Sequence, residues 1–280
     1  MLGAIIGDMV GSIYEFNNFK SKDIELINHE MRMTDDSLLT IAISKVLMKH
    51  YPFDYSSEGI KKLQDDLIKE FVDTWKKHIN AGWGSMFYDY CLEASKGNAK
   101  PYNSYGNGSA MRISSVSYLA KDIEEVKKLS KIVTEITHNH PEGIKGAEAI
   151  SVAIFMALHG STKVEINKKM IEYYPRLKDI DYQDLLKNYT FNATCEGSVP
   201  EAIYSFLISD SLEDTIRTVI SIGGDTDTIG AMAGALSEAY YQKDNLSKFE
   251  THFLYFLIDK DLENYLTTFY NFIGSKKFRK

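Results

Sequence analysis

Two acidic clusters carry the strongest chemical signal in the sequence. The first is Thr34-Asp35-Asp36-Ser37, followed at once by Leu38, Leu39, Ile41 and Ala42. The second is Gly223-Gly224-Asp225-Thr226-Asp227-Thr228, followed by Ile229-Gly230-Ala231-Met232-Ala233-Gly234-Ala235. Each stands where an apolar run begins, so each is expected at a helix N-terminus. Asp and Thr cap free N–H groups there, and acids suit the positive end of the helix dipole. One cap needs one such residue. Two adjacent acids, and then Asp-Thr-Asp-Thr, exceed that need, and like charges this close repel unless a proton or a cation intervenes. The donors are carboxylate and hydroxyl oxygens with no His or Cys beside them, which selects Mg²⁺, Mn²⁺ or Ca²⁺ over Zn²⁺ or Cu²⁺. Four Asp in two clusters could hold two ions through shared carboxylates.

Three weaker elements accompany them. In Tyr105-Gly106-Asn107-Gly108-Ser109-Ala110-Met111-Arg112, two glycines flank an Asn, which permits positive φ and exposes backbone N–H groups. A helix beginning near Ser109 would turn those groups into an anion nest; otherwise the segment is a plain turn. It is not a P-loop, since no Gly-Lys-Ser/Thr follows. Thr137-His138-Asn139-His140-Pro141-Glu142-Gly143 also precedes an apolar run, and reads as a capping turn with at most one functional His. Gly7-Asp8-Met9-Val10-Gly11 leads to Glu15, a residue that nothing nearby singles out. Two other motifs fail. Asp35-Asp36 could open an isoprenoid-synthase DDxxD, but position 39 is Leu, and only His138 and His140 hint at an HNH-type nuclease.

The elements that must hold these residues read as helices. Ile60, Leu63, Leu67, Ile68, Phe71, Val72, Trp75 and Ile79 recur at three and four, which predicts one long amphipathic helix. Asp122 with Glu125 forms a capping-box pattern ahead of Ile123, Val126, Leu129, Ile132, Val133 and Ile136. Pro141 suits the first turn of a helix with a stripe from Ile144 to Leu158. Ser211 to Asp214 caps another, and the stretches Phe249–Ile258 and Leu262–Ile273 are helical and aromatic-rich. Small residues at 230–235 would let the helix behind the second acidic cluster pack closely at the centre of a bundle. Only Asp23–Ile27 and Tyr189–Thr194 hint at extended structure. No fixed-period repeat points to a solenoid. The segments Asn17–Met33, Gly97–Asn107 and Pro175–Ser198 read as loops able to form a site rim. The expectation is an all-α, compact bundle of about a dozen helices, one domain over 1–280.

Composition agrees. The 280 residues are 44% hydrophobic and 25% charged, ordinary globular values, and 5 Pro leave room for long helices. With 32 Lys and Arg against 39 Asp and Glu, the charge of −7 disfavours nucleic acid as the main partner. Cys91 and Cys195 lie in no metal-binding spacing and read as two reduced thiols. The N-terminal run lacks a basic region and is interrupted by Asp8, so no signal peptide is expected. The longest apolar run, Val152 to Leu158, falls short of the ~18–20 residues a membrane span needs. A cytoplasmic protein without membrane partners is the expectation.

Taken together, Gly3–Phe16, Thr34–Leu38, Tyr105–Arg112, Thr137–Ala147 and Ser221–Ala235 resemble the ADP-ribosylglycohydrolase family, which includes the dinitrogenase-reductase-activating glycohydrolases. They occur in the family's order and span positions 3 to 235. The resemblance implies a binuclear Mg²⁺ or Mn²⁺ centre and hydrolysis of the bond joining ADP-ribose to a protein side chain or small-molecule acceptor. Thr34, Asp35, Asp36, Asp225, Asp227 and Thr228 match metal ligands of the family. Glu15 matches an acid at the site rim. Gly106, Asn107, Gly108 and Ser109 match the loop around the diphosphate, and His138 a position near the bound ADP-ribose. Ser37 departs from a common Thr but keeps the hydroxyl. Glu15, Asp35 and Asp227 are the candidate catalytic acids. ADP-ribosyl-arginine is the first expected substrate. Serine-linked, O-acetyl-linked and nucleic-acid-linked ADP-ribose are the alternatives, beside a non-catalytic ADP-ribose reader.

Overall fold

A computed structural model describes residues 1–241, 246–257 and 259–274. The described residues hold fourteen α-helices and no strand. Ile258, placed in a helix by the sequence pattern, lies outside the described residues. No described helix is long and apolar enough to cross a membrane. Cys91 and Cys195 are both buried free thiols.

The fold is built around α12 (Thr226–Tyr240), which is buried from Thr226 to Ala239. Helix α1 (Leu2–Gly11), buried along its whole length, runs antiparallel against it. Glycines make the contact possible. A Cβ on Gly3 would lie 2.2 Å from Gly234 O, one on Gly7 1.9 Å from Gly230 O, and one on Gly11 2.3 Å from Thr226 O. The two backbones therefore touch over three successive turns. The buried Glu238 carboxylate accepts the Gly3 N–H at 2.7 Å and fixes the register.

Other helices wrap this pair. Helices α7 (Pro141–Leu158), α10 (Cys195–Leu207) and α11 (Leu212–Ile222) pack on α12, and α2 (Asp35–Lys49) packs on α1. Helix α11 is apolar on two faces. Ile216 and Ile220 join the apolar cluster around α1, while Val219 and Ile222 join the larger one. Helix α3 (Ser57–Lys77) covers α2 with Leu63, Leu67, Phe71, Val72 and Trp75 buried. Ile79 falls beyond its C-cap, His78, and is exposed. Helix α4 (Ser85–Ala94) packs on α3. The remaining α5 (Ser115–Leu119), α6 (Ile123–Thr134), α8 (Lys163–Tyr173), α9 (Tyr182–Asn188), α13 (Lys248–Leu257) and α14 (Lys260–Phe272) complete the shell.

Several local expectations resolve differently. Asp122 caps α6 by accepting Glu125 N, but the Glu125 carboxylate takes the Lys121 N–H, so the reciprocal bond lands one residue early. The segment 175–198 is only partly loop: it contains a 3₁₀ turn at Pro175–Asp179, helix α9 and the start of α10. The two segments with extended patterning form no strand. Thr194 makes one isolated bridge, to Gly106. Pro141 does open α7, and Ser211 caps α11.

Candidate active site

Three chain segments converge at one end of the α1–α12 pair. Thr34 caps α2 by accepting the Asp36 N–H at 3.3 Å, leaving Asp35 and Asp36 in the first turn. Asp225 occupies the N-cap position of α12, yet its side chain accepts no helix N–H. Capping therefore does not account for Asp225. It accepts instead from Asn107 Nδ2 at 2.7 Å. The turn before it holds Gly223 at φ 72° and Gly224 at φ 81°, left-handed conformations that favour glycine. Asn18 Oδ1 accepts the Gly224 N–H and ties this turn to the loop after α1.

The acids meet in two overlapping groups. Carboxylate oxygens of Asp8, Asp36 and Asp227 lie within 4.8 Å of one another, as do those of Glu15, Asp225 and Asp227. Asp227 belongs to both. Asp8, on α1, was not singled out by type or spacing as a site residue. It is fully buried and accepts from Thr34 Oγ1 (2.6 Å), Thr34 N (3.0 Å) and Ser37 N (3.0 Å), so it clamps the start of α2 onto α1. The available signal was an acid inside an otherwise apolar helical run.

Burial and mutual repulsion lift these groups. Burial, then the charges of Asp227 and Asp8, push Asp35 and Asp36 well above the usual carboxylate range. Burial and Asp225 do the same to Asp227. Burial pushes Asp225 up to about 6. Glu15 rises to about 8, through burial and then the Asp227 charge. Asp36 Oδ1 is buried with no hydrogen-bond partner. An orphaned carboxylate oxygen among crowded carboxylates, with no nitrogen or sulfur donor in either group, fits a hard divalent cation. Asp35, Asp36, Asp225, Asp227, Thr228 and Glu15 all line the adjoining cavity. Thr34 does not; its hydroxyl is turned to Asp8.

These shifts have a testable sign. Between its ordinary value of 4.5 and about 8, Glu15 keeps a proton in the folded chain that it loses on unfolding. Stability of the ion-free protein therefore falls as pH rises through that window, and Asp225 acts in the same direction at lower pH. The expected result is a melting temperature in EDTA that drops between pH 5 and 8, with saturating Mg²⁺ or Mn²⁺ opposing the drop. A rise with pH in EDTA would overturn the assignment of Glu15 to the cluster.

The cavity holds about 480 Å³, and Gly106, Asn107, Gly108 and His138 line it as well, with Asn107 bonded to Asp225. Neither glycine is left-handed. Only a 3₁₀ turn, Asn107–Ser109, forms there, and the Gly106 and Asn107 N–H groups are spent on Ser104 Oγ and Ala193 O. The turn reading thus fits better than the nest that a helix beginning near Ser109 would have made, and what the glycines allow is close backbone approach: a Cβ on Gly108 would lie 3.3 Å from His138 Nε2. Asn107 points its amide at Asp225 and Ser198. Ser109 is off the cavity wall and donates to Gly143 O. The two histidines divide their roles. His140 caps α7 through Glu142 N, while His138 is buried on the cavity wall.

Phe16 and Phe191 stack with ring centroids 6.3 Å apart and remain 84% and 51% exposed. Phe191 lines the cavity and Phe16 follows Glu15.

The ADP-ribosylglycohydrolase family model matches residues 1–251. The chain belongs to that family. Its members are hydrolases of glycosyl bonds. Among curated relatives, human ADP-ribosylhydrolase ARH3 is 26% identical, the alignment covering 88% of this chain and 85% of the relative. The Gallus gallus protein of the same name is 25% identical over the same shares. A putative ADP-ribosyl glycohydrolase of Acanthamoeba polyphaga mimivirus is 23% identical, covering 86% of this chain and 85% of its own. A solved structure titled ADP-ribosylglycohydrolase-related protein complex superposes with a TM-score of 0.72 at 18% identity, over 98% of this chain and 97% of that one. That likeness establishes the fold.

Proposed function

We propose that this member of the family hydrolyses the C1″ bond between ADP-ribose and an acceptor, using two Mg²⁺ or Mn²⁺ ions. The observation that carries the reading is Asp227 shared between two carboxylate groups at the floor of one cavity. In the proposed site, Asp35, Asp36, Asp225, Asp227 and Thr228 hold the ions, with Thr34 as a further hydroxyl at the start of α2. When bound, such ions fix vicinal ribose hydroxyls and acidify a water. The chain's own groups do the rest. Asn107 orients Asp225 and Asp8 orients the start of α2. Glu15, lying beside Asp227, is placed to accept or return a proton at the scissile bond, where an oxocarbenium-like state develops. The diphosphate runs along the Gly106–Gly108 and His138 wall, which meets the acids where Asn107 donates to Asp225.

The arginine linkage is the first to test. Glu15 supplies a carboxylate and the exposed Phe16–Phe191 pair a flat aromatic face, the two features that hold a guanidinium. The experiment is a panel of arginine-, serine-, O-acetyl- and nucleic-acid-linked ADP-ribose, each with Mg²⁺, Mn²⁺ or EDTA. Release of ADP-ribose from one class, abolished by EDTA and restored by metal, is expected. Activity unchanged by exhaustive chelation would remove the two-ion reading, and binding of ADP-ribose without turnover of any conjugate would leave a reader.

A further inference from the structure

On the cavity wall lies a buried cation with no ion-pair partner; the charge of Asp35 acts on it only from a longer range. Arg112 is 1% exposed and forms no ion pair among the described residues. Its guanidinium carbon sits 4.9 Å from the Phe71 ring centroid and 5.3 Å from that of Phe87. Aromatic faces thus hold it in place. Its hydrogen bonds go to Thr137 Oγ1 at 2.7 Å and to His138 Nδ1 at 3.4 Å.

Proton counting follows from the chemistry of the donors. Arginine only donates, so Thr137 Oγ1 is an acceptor toward Arg112. The Thr137 proton has three acceptors around it: His138 Nδ1 at 2.9 Å, Thr134 O at 3.3 Å and the Tyr102 hydroxyl. A proton on Nδ1 would point into Arg112, whereas a lone pair there accepts from both neighbours. Nδ1 is therefore the acceptor and the ring proton sits on Nε2. Nε2 faces the glycine wall: a Cβ on Gly108 would approach it to 3.3 Å and one on Gly106 to 3.8 Å. With no side chain at either position, the Nε2–H has an open path to the cavity. The charged group facing the ring is Arg112 and the titratable one is Tyr102, edge-on at 5.5 Å between centroids. Burial and the Arg112 charge both oppose a second proton on the imidazole.

We infer that Arg112 and Thr137 are positioning residues that lock His138 as a neutral Nε2–H donor, aimed at an acceptor oxygen of the ligand on the Gly106–Gly108 wall. His138 then binds and does not transfer protons, which leaves acid–base work to the carboxylates. The ligand part of this inference rests on the proposed function; the tautomer does not.

The test is ¹⁵N NMR of the imidazole nitrogens in the whole protein, with His138 assigned by its loss in His138→Gln. The expected spectrum shows Nδ1 bare and Nε2 protonated from pH 6 to 8. Thr137→Val keeps the side-chain shape and removes the closer of the two donors to Nδ1, leaving Arg112 at 3.4 Å, so the Nε2–H share should fall, with Nδ1–H appearing beside it, and ADP-ribose affinity should fall about tenfold by calorimetry. Thr137→Ser should restore both signals, which a packing role for the residue would not explain. Protonated Nδ1 in the wild type would overturn the inference, and so would unaltered ADP-ribose affinity in a Thr137→Val protein whose tautomer has changed. Wild-type protein showing the Nε2–H state but no affinity for ADP-ribose would sustain the tautomer and reject the proposed function.

Discussion

Asp227→Asn should abolish most turnover while leaving the fold intact. Asn keeps the shape of Asp, and Asp227 lies in the first turn of α12, so a role confined to the helix dipole would cost only about 0.3–1 kcal/mol of stability and hardly change activity. The position of Asp227 argues otherwise. Its carboxylate is common to the Asp8–Asp36 group and the Glu15–Asp225 group. Removing that charge withdraws an anionic donor from both candidate ion sites at once. The loss of turnover should exceed the ~10–100-fold that follows removal of an outer partner of a metal ligand. Stability in EDTA should move the other way. Asp227 is among the groups that raise Glu15, Asp35 and Asp36, so neutralising it relieves repulsion in the ion-free protein. The measurement is a pair: turnover of an ADP-ribosylated substrate, and melting temperature with and without Mg²⁺. A higher melting temperature in EDTA with a smaller Mg²⁺ increment is the expected signature. Near-normal turnover would return Asp227 to the role of a first-turn acid that only suits the helix dipole.

The same residues show how far type and spacing carry a reading of this chain. The helical class was legible because 3.6-residue periodicity is written by burial itself, as on α3, where Leu63, Leu67, Phe71 and Trp75 all turn inward. Asp35, Asp36, Asp225 and Asp227 stood out because helix starts need fewer acids than these two carry. Glu15 did not stand out from spacing and entered only through the family resemblance. Its position beside Asp227 depends on the chain leaving α1 at Gly11, a tertiary fact. Asp8 was visible as an acid in an apolar run, but an isolated charge does not say which helix its side chain clamps. Asn107 and Ser109 illustrate a different limit. Composition marks a Gly-rich segment as a turn, yet which way each side chain points is set by distant partners: Asp225 and Ser198 for Asn107, and the Gly143 carbonyl for Ser109. Arg112 was likewise unreadable, because its partners Thr137, Phe71 and Phe87 come from other parts of the chain.

Gly7→Ala should destabilise the protein more than its chemistry suggests. In an isolated helix this change is favourable by roughly 1 kcal/mol, since Ala is the better helix former. Here the added methyl carbon would lie 1.9 Å from Gly230 O and 2.2 Å from Gly230 C. Those atoms are backbone in the middle of α12, so no rotamer change can clear them. Relief requires α1 and α12 to separate, and that opens the most buried contact in the fold. Overpacking of a core typically costs ~1–3 kcal/mol and occasionally more. A clash against unyielding backbone belongs at the upper end, so a net loss of about 2–3 kcal/mol is expected after the helical gain. Urea denaturation reads it directly as a lower midpoint. The damage should also reach the site. Gly7 precedes Asp8, and Gly11 rests on Thr226 and Asp227. Parting the helices therefore moves Asp8 away from Asp227 within one of the two carboxylate groups. The midpoint increment produced by saturating Mg²⁺ or Mn²⁺ should shrink along with the baseline stability. An unchanged midpoint would mean that the α1–α12 contact is looser than its glycines imply. A lowered midpoint with a full metal increment would separate the packing of these helices from the geometry of the acids they carry.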